Sequence, residues 1–328
     1  MTTQDQELFD NTCHPVEFPR ELPPELRAGE RARHGLARFL KALSEGWRTF
    51  RQNPLGVIGL SLLSVFALMA LTSFIPQMIN PMYNPMTGVD PNIMGIQAPS
   101  WKHWLGTDFL GRDIFTQLLV GAKVAFIVGF SAAFMAVALG TMVGLVAGYF
   151  GKWVDTLLMR LADIIMVMPG LLVILIISAV IGQLTIWNTV LIIALLRWSP
   201  VSRVIRSQTL SLRERAYVEA AKVSGAGSAR IIFRHIAPNV LPLSFLYMTF
   251  RVTAAILVEA SLAFLGFGDP GTVSWGMMLQ WVWKTGNMFQ APYWLLPPGF
   301  CISLITLSFY LIGRALDEVV NPRLKKDA

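Results

Sequence analysis

Long apolar stretches with few or no charges alternate along this chain with polar ones, at lengths that suit a lipid bilayer. Leu55 to about Ile75 is the first, and Val124 to Phe150 the second. Ile164 to Leu196 carries no charge for 33 residues. A helix of that length would reach roughly 50 Å, against a hydrocarbon core of about 30 Å, so this run must be two spans. Gly182-Gln-Leu-Thr-Ile-Trp-Asn188 is the natural break. The fifth run extends from about Asn239 to Leu265, the sixth from about Tyr293 to Gly313. The pattern predicts an all-α integral membrane protein of six transmembrane helices, with both termini on one side.

One polar insert is not needed to cross a bilayer. It lies between the fourth and fifth runs and reads Tyr217-Val-Glu-Ala-Ala-Lys-Val-Ser-Gly225, with Pro238 thirteen residues further on. Ser211-Leu-Arg-Glu214 has the form of a capping box, in which the serine caps a helix start and the glutamate reaches back. Leu212, Ala216, Ala220 and Val223 then form a narrow apolar stripe of mostly small residues. Gly225 stands where a left-handed residue closes a helix. Ser228 can cap a second short helix, Ala229–Ile236, which Pro238 ends. Small alanines let another surface approach closely. The plainer reading of the same residues is an ordinary amphipathic loop.

The flanks differ. Residues 1–33 are charged and hold Pro15, Pro19, Pro23 and Pro24, the composition of a disordered tail. In residues 34–52, Leu36, Phe39, Leu40, Leu43, Trp47 and Phe50 follow helical spacing, with Arg38, Lys41, Arg48 and Arg51 elsewhere on the wheel. That is an interfacial amphipathic helix leading into the first span. Residues 53–123 then hold the first span and an external loop with Pro81, Pro85, Pro91 and Pro99. Residues 124–328 form a core of five spans, the polar loop at 207–238 and a C-terminal tail.

Charge fixes the orientation. Of 27 Lys and Arg, 21 fall in the N-terminal tail, the 2–3 loop, the stretch Arg203–Arg234 and the C-terminal tail. Four (Lys102, Arg112, Lys123, Lys284) fall on the opposite side, and Arg197 and Arg251 lie within spans. Basic residues stay on the cytoplasmic side, so both termini and the polar insert are expected there. Seven tryptophans (Trp101, Trp104, Trp187, Trp275, Trp281, Trp283, Trp294) then sit near the outer boundary as an aromatic belt.

Composition agrees. Hydrophobic residues make up 54% of the 328 and charged ones 14%, where a soluble domain carries about 25%. The first apolar run begins too far into the chain, and is too long, for a cleavable signal peptide. Cys13 and Cys301, one in the polar tail and one in an apolar run, suggest no disulfide framework. No G-x-x-x-x-G-K-[ST] phosphate loop is present, so the chain is not expected to bind ATP by itself. His14, His34, His103 and His235 lack metal-ligand spacing. No Ser/His/Asp grouping points to hydrolysis, so no catalytic, cofactor or metal site is expected.

Few charges lie inside the spans. Arg251 and Glu259, two turns apart, are expected to neutralise each other or to pair with a partner subunit, with substrate contact the alternative. Gly140, Gly144 and Gly148 read as close helix packing. Asp108, Arg112 and Asp113, outside the membrane, read as a structural hydrogen-bond cluster rather than a contact for a solute-binding protein. Met135, Met142, Met166 and Met168 read as packing or lipid-facing residues.

Glu219-Ala220-Ala221, Gly225 and Pro238 resemble the EAA motif of ABC importer permeases. Further segments resemble the oligopeptide/dipeptide branch of that family, and within it the C-type subunit. These are Leu105-Gly-Thr-Asp-Phe-Leu-Gly-Arg-Asp113, Asp155-Thr-Leu-Leu-Met-Arg160 with Asp163 and Pro169, Arg234-His-Ile-Ala-Pro-Asn239, Phe264-Leu-Gly-Phe-Gly268 and Ser274-Trp-Gly-Met-Met-Leu279. The resemblance covers roughly residues 50–325. It departs at Ala237, where leucine is usual, and in the tail Leu316-Asp-Glu-Val-Val-Asn-Pro322. It implies a type I ABC importer permease fold with a cytoplasmic coupling helix carrying Tyr217, Glu219, Ala220, Ala221 and Gly225, followed by Pro238. It implies a homologous B-type permease, two ATP-binding subunits that hold ATP and magnesium, and an external substrate-binding protein, in the inner membrane of a bacterium or archaeon. Di- or oligopeptides are the expected substrate, with oligosaccharides or nickel complexes as alternatives. A stand-alone channel, a secondary carrier or a non-transporting scaffold are the readings from other classes. No nucleic-acid partner is implied.

Overall fold

A computed structural model describes residues 46–93, 95–182 and 184–320. The proposed disordered tail, most of the amphipathic helix at 34–52, Cys13 and the tail segment beyond residue 320 lie outside the described residues. Residues 46–52 are helical. The compact unit described below begins at Phe50.

The first span, α1 (Pro54–Thr72), starts where Asn53 accepts hydrogen bonds from the Leu55 and Gly56 amides and Pro54 supplies a preset φ. A short helix, α2 (Ile75–Ile79), follows. The long helix α3 (Ile114–Phe150) begins ten residues before the uncharged run, because Asp113 caps it through the Thr116 amide at 2.8 Å. Gly151, at φ 63°, ends it.

The run at 164–196 breaks at Gly182, as expected, where φ is 83°. It also breaks at Met168-Pro169, between α4 (Lys152–Val167) and α5 (Gly170–Ile181), which bend by 85°. Proline removes an amide donor and holds Met168 extended. A second bent pair follows: α6 (Ile186–Arg197) and α7 (Ser199–Arg213) meet at 46°.

After α8 (Ala216–Val223) and α9 (Ser228–Ile231), a π turn (Ile232–Ile236) runs straight into α10 (Ala237–Leu262). Pro238 therefore does not end a helix. It lies in the first turn of α10, where its missing amide matters least. The chain closes with α11 (Trp275–Lys284) and α12 (Pro292–Val320). Four spans are long and apolar enough to cross a membrane unaided, and the two bent pairs, each counted as one span, bring the crossings to six.

The long helix α3 is the mast of the bundle, packed along α7, α10, α6 and α1, while α12 packs on α1 and α10. The glycines expected at a packing seam are one. A Cβ at Gly140 would lie 2.6 Å from the Trp198 carbonyl, at Gly144 2.7 Å from Ile205 Cβ, and at Gly148 2.6 Å from Thr209 Cβ. Many hydroxyls in the spans are returned to their own helix, among them Ser61 to Val57 O, Thr72 to Leu68 O and Ser178 to Ile174 O. Without water, an unreturned hydroxyl would be costly.

Candidate functional site

The polar insert is built differently from its expected capping box. Ser211 and Arg213 still belong to α7, and Glu214 forms its C-terminal cap. The next helix, α8, starts from Arg215 with no side-chain cap. The stripe of Leu212, Ala216, Ala220 and Val223 is likewise not one buried face. Leu212 is on a different helix, and Val223 is 90% exposed. Val218 does the anchoring. It is fully buried among Val137, Leu145, Ile205, Ile231 and Ile236. An eight-residue helix is too short to be stable alone, so this single apolar anchor and its closure must hold it.

The closure is a Schellman motif at Gly225. The Ala226 amide donates to the Ala221 carbonyl at 3.0 Å, and the Gly225 amide to Lys222 at 2.9 Å, with Gly225 at φ 79°. Anchoring on Val218 turns Tyr217, Glu219 and Ala220 outward, while Ala221 is half-buried. Ser228 does not cap α9 with its side chain; Gly227 precedes the helix and Ser228 is its first residue. Pro238 is exposed at the start of α10, beside an apolar groove with Phe134, Met142, Phe233 and Leu241.

A brace behind the insert was not foreseen. On α7, Arg206 grips Asp155 of α4 with both ends of its guanidinium, and Arg203 binds Asp163. The only sequence signal is two acids eight apart on one helix and two arginines three apart on another, which puts each pair on one helical face. Arg213 also donates to the Gly148 carbonyl at 3.1 Å, tying the end of α7 to α3. Motion at α8 therefore meets a stem tied to both α3 and α4.

The outer face carries the cluster expected from Asp108, Arg112 and Asp113. Asp108, fully buried, accepts from the Leu110 and Arg112 amides, from Arg112 Nε at 2.7 Å and from Gln117 Nε2 at 2.8 Å. Arg112 also stacks over Trp281, 4.3 Å from the ring centre. His103 lies between Asp113, 2.9 Å from Nδ1, and Asp90, 3.4 Å from Nε2. Asp90 is held low, at about pKa 2, by the Lys102 ammonium, then by the Asn92 amide and by His103.

The expected neutralisation of Arg251 by Glu259 is not found. Eight helical residues separate them by about 12 Å. Glu259 lines a narrow cleft with Thr189, Asp269, Thr272 and Ser274. Arg197, the last residue of α6, is the other arginine placed in a span. Among the described residues no carboxylate forms an ion pair with either arginine.

The class of this multi-span bundle is named by sequence comparison. Residues 140–326, more than half of the chain, match the family described as "binding-protein-dependent transport system inner membrane component". Residues 42–99 match the N-terminal transmembrane domain of oligopeptide transport permease C. The chain belongs to this family of ABC importer permeases, in its oligopeptide permease C branch. It is similar to a protein of Brucella suis biovar 1 whose name assigns it, provisionally, to the peptide permeases, 38% identical over 84% of this chain and 89% of the relative. It is similar to the dipeptide transport system permease protein DppC of Alkalihalophilus pseudofirmus, 37% identical over 86% of this chain and 90% of the relative. The glutathione transport system permease protein GsiD of Pectobacterium atrosepticum is 34% identical over 86% of this chain and 91% of the relative. The chain is thus a multi-pass membrane permease subunit of a binding-protein-dependent importer.

Proposed function

We propose that this chain carries small peptides across the membrane as one half of a permease pair, coupled to ATP hydrolysis by α8. The observation that carries this is the posture of α8. Val218 is locked into the bundle while Tyr217, Glu219 and Ala220 face outward on a helix that lies outside every span. Such a helix transmits force only if another surface grips it. In this reading the gripping surface is an ATP-binding subunit on the cytoplasmic side. Small side chains at Ala220 and Ala221 let its groove come close, and Glu219 offers a carboxylate to a polar or basic wall.

The 21:4 basic asymmetry supports placing α8 and both termini in the cytoplasm. The exposed apolar faces of α5 and α10, with Ile176, Val180, Leu241 and Phe245, are where a homologous B-type permease would seal the pathway. A second ATP-binding subunit would serve that partner, and an external binding protein would deliver substrate. ATP and magnesium would then belong to the ATP-binding subunits. Relatives named for peptides, dipeptides and glutathione favour short peptides as cargo.

The test is uptake of labelled dipeptides, tripeptides and glutathione by proteoliposomes holding the whole transporter. Uptake that needs this subunit, ATP and the binding protein is expected. Transport by the purified chain alone, or uptake undiminished when it is left out, would refute the reading.

A further inference from the structure

Two bent spans break against each other, and the crease between them holds Arg197, which has no carboxylate paired to it among the described residues. The N-terminal end of α5 follows the 85° bend, and the C-terminal end of α6 precedes the 46° bend. Both helices have 12 residues, so the crease lies about 18 Å below their outer ends. It encloses a cavity of about 180 Å³ lined by Met166, Gly170, Val173, Arg197, Ser199 and Pro200, among others.

Three features of this cavity ask for the same thing. Pro169 gives α5 no side-chain cap, so the first amides of a 12-residue helix point there with the positive end of its dipole. The Arg197 guanidinium lies against that end: a Cβ on Gly170 would be 3.5 Å from Nη2. A cation facing a helix N-terminus is repelled unless an anion sits between them. The Ser199 side chain, only 1% exposed, has an unpartnered hydroxyl, and Arg197 Nε is buried without a partner. The acids of α4 are not free to help, since Asp155 and Asp163 are held by Arg206 and Arg203.

We infer that the crease binds a carboxylate, the C-terminal carboxylate of a peptide in transit. It would lie between Arg197 and the α5 amides, with the Ser199 hydroxyl as a further donor. This rests on the peptide reading of the preceding section. The chemistry suits such cargo, because the terminal carboxylate is the one anion every free peptide shares whatever its side chains. A lipid phosphate has similar chemistry and is the competing source.

The experiment uses the assembled transporter with Cys13→Ser, Cys301→Ser and Val173→Cys, in discs of phosphatidylcholine or of phosphatidylglycerol. Labelling of Cys at 173 by a small thiol reagent is followed with trialanine or its C-terminal amide present. In phosphatidylcholine we expect the free acid to protect about tenfold or more better than the amide. That preference should vanish in Arg197→Gln and survive in Arg197→Lys. Equal protection by acid and amide, no protection, or protection that follows phosphatidylglycerol without peptide would each overturn the assignment. So would a preference that persists in Arg197→Gln. The acid–amide comparison needs no arginine variant, so a poorly assembling Arg197→Gln does not decide the outcome. Uptake of trialanine by the same complex separates the two readings. If uptake is normal and the preference absent, the crease site alone falls. If no peptide is taken up, the peptide reading falls with it.

Discussion

Asp155 of α4 and Arg206 of α7 meet in a two-pronged ion pair across 51 positions of sequence. The Asp155 side chain is 15% exposed and that of Arg206 34%, so water screens the pair only in part. Removing one partner leaves the other charge in a poorly solvated seam. Asp155→Asn is expected to lower the stability of the purified subunit by about 1–2 kcal/mol, between the values for exposed and buried pairs. Exchanging the charges, Asp155→Arg with Arg206→Asp, should recover most of the loss in a thermal melt. No recovery would mean that the pair is incidental.

The seam between α3 and α7 admits no side chain. Gly144→Val would drive a Cβ to 2.7 Å from both Ile205 Cβ and the Ser202 carbonyl. The helices must separate, at a cost of about 1–3 kcal/mol. Gly299→Ala, with nothing within 4 Å of the new Cβ, is the control and should melt like the parent.

Much of this was legible in the chain itself, for reasons particular residues make plain. Hydrocarbon admits only helices, so apolar runs located the spans. Gly182 marked the break between two spans and Gly225 the end of α8, because both adopt positive φ. The 140/144/148 glycine row announced its seam. Elsewhere local rules gave way to tertiary context. The capping-box pattern at Ser211 lost to a continuing α7, whose face is already packed on α3. Pro238 was absorbed in the first turn of a helix that enters through a π turn. The Asp155–Arg206 and Asp163–Arg203 braces left only a faint spacing signal, because their partners are 40 to 51 residues apart. Arg251 and Glu259 were matched because they share a helix, but eight residues put them on different surroundings.

That last point makes its own prediction. Glu259→Gln and Arg251→Gln should be additive in stability, with a coupling below about 0.5 kcal/mol in a double-mutant cycle. A large coupling would show that the two charges meet after all.

The outer loop should respond to acid late. Lys102 lies 2.5 Å from Asp90, and this contact leads those that hold the Asp90 carboxyl at about 2, against an ordinary 3.8. A depressed carboxylate stabilises the fold above its unfolded value and loses that contribution as pH falls through its folded value. The parent loop should therefore stay protected in hydrogen exchange at pH 4 and loosen between about pH 4 and 2. Lys102→Ala removes the largest cause and should move that loosening to higher pH. An unchanged profile would count against this contact.

The central claim is that α8 is the element through which ATP hydrolysis moves the spans, and the decisive measurement is transport together with recovery of the ATP-binding subunits. Gly225 sits at φ 79°, where a β-branched residue is strained by about 1–2 kcal/mol or more. The Schellman closure would open and α8 would lose its set angle. Ala221→Trp instead keeps the backbone and places bulk at the proposed contact. At equal subunit levels in the membrane, both Gly225→Val and Ala221→Trp should abolish uptake and release the ATP-binding subunits during purification. Parental uptake and co-purification in both variants would show that this stretch is only a loop.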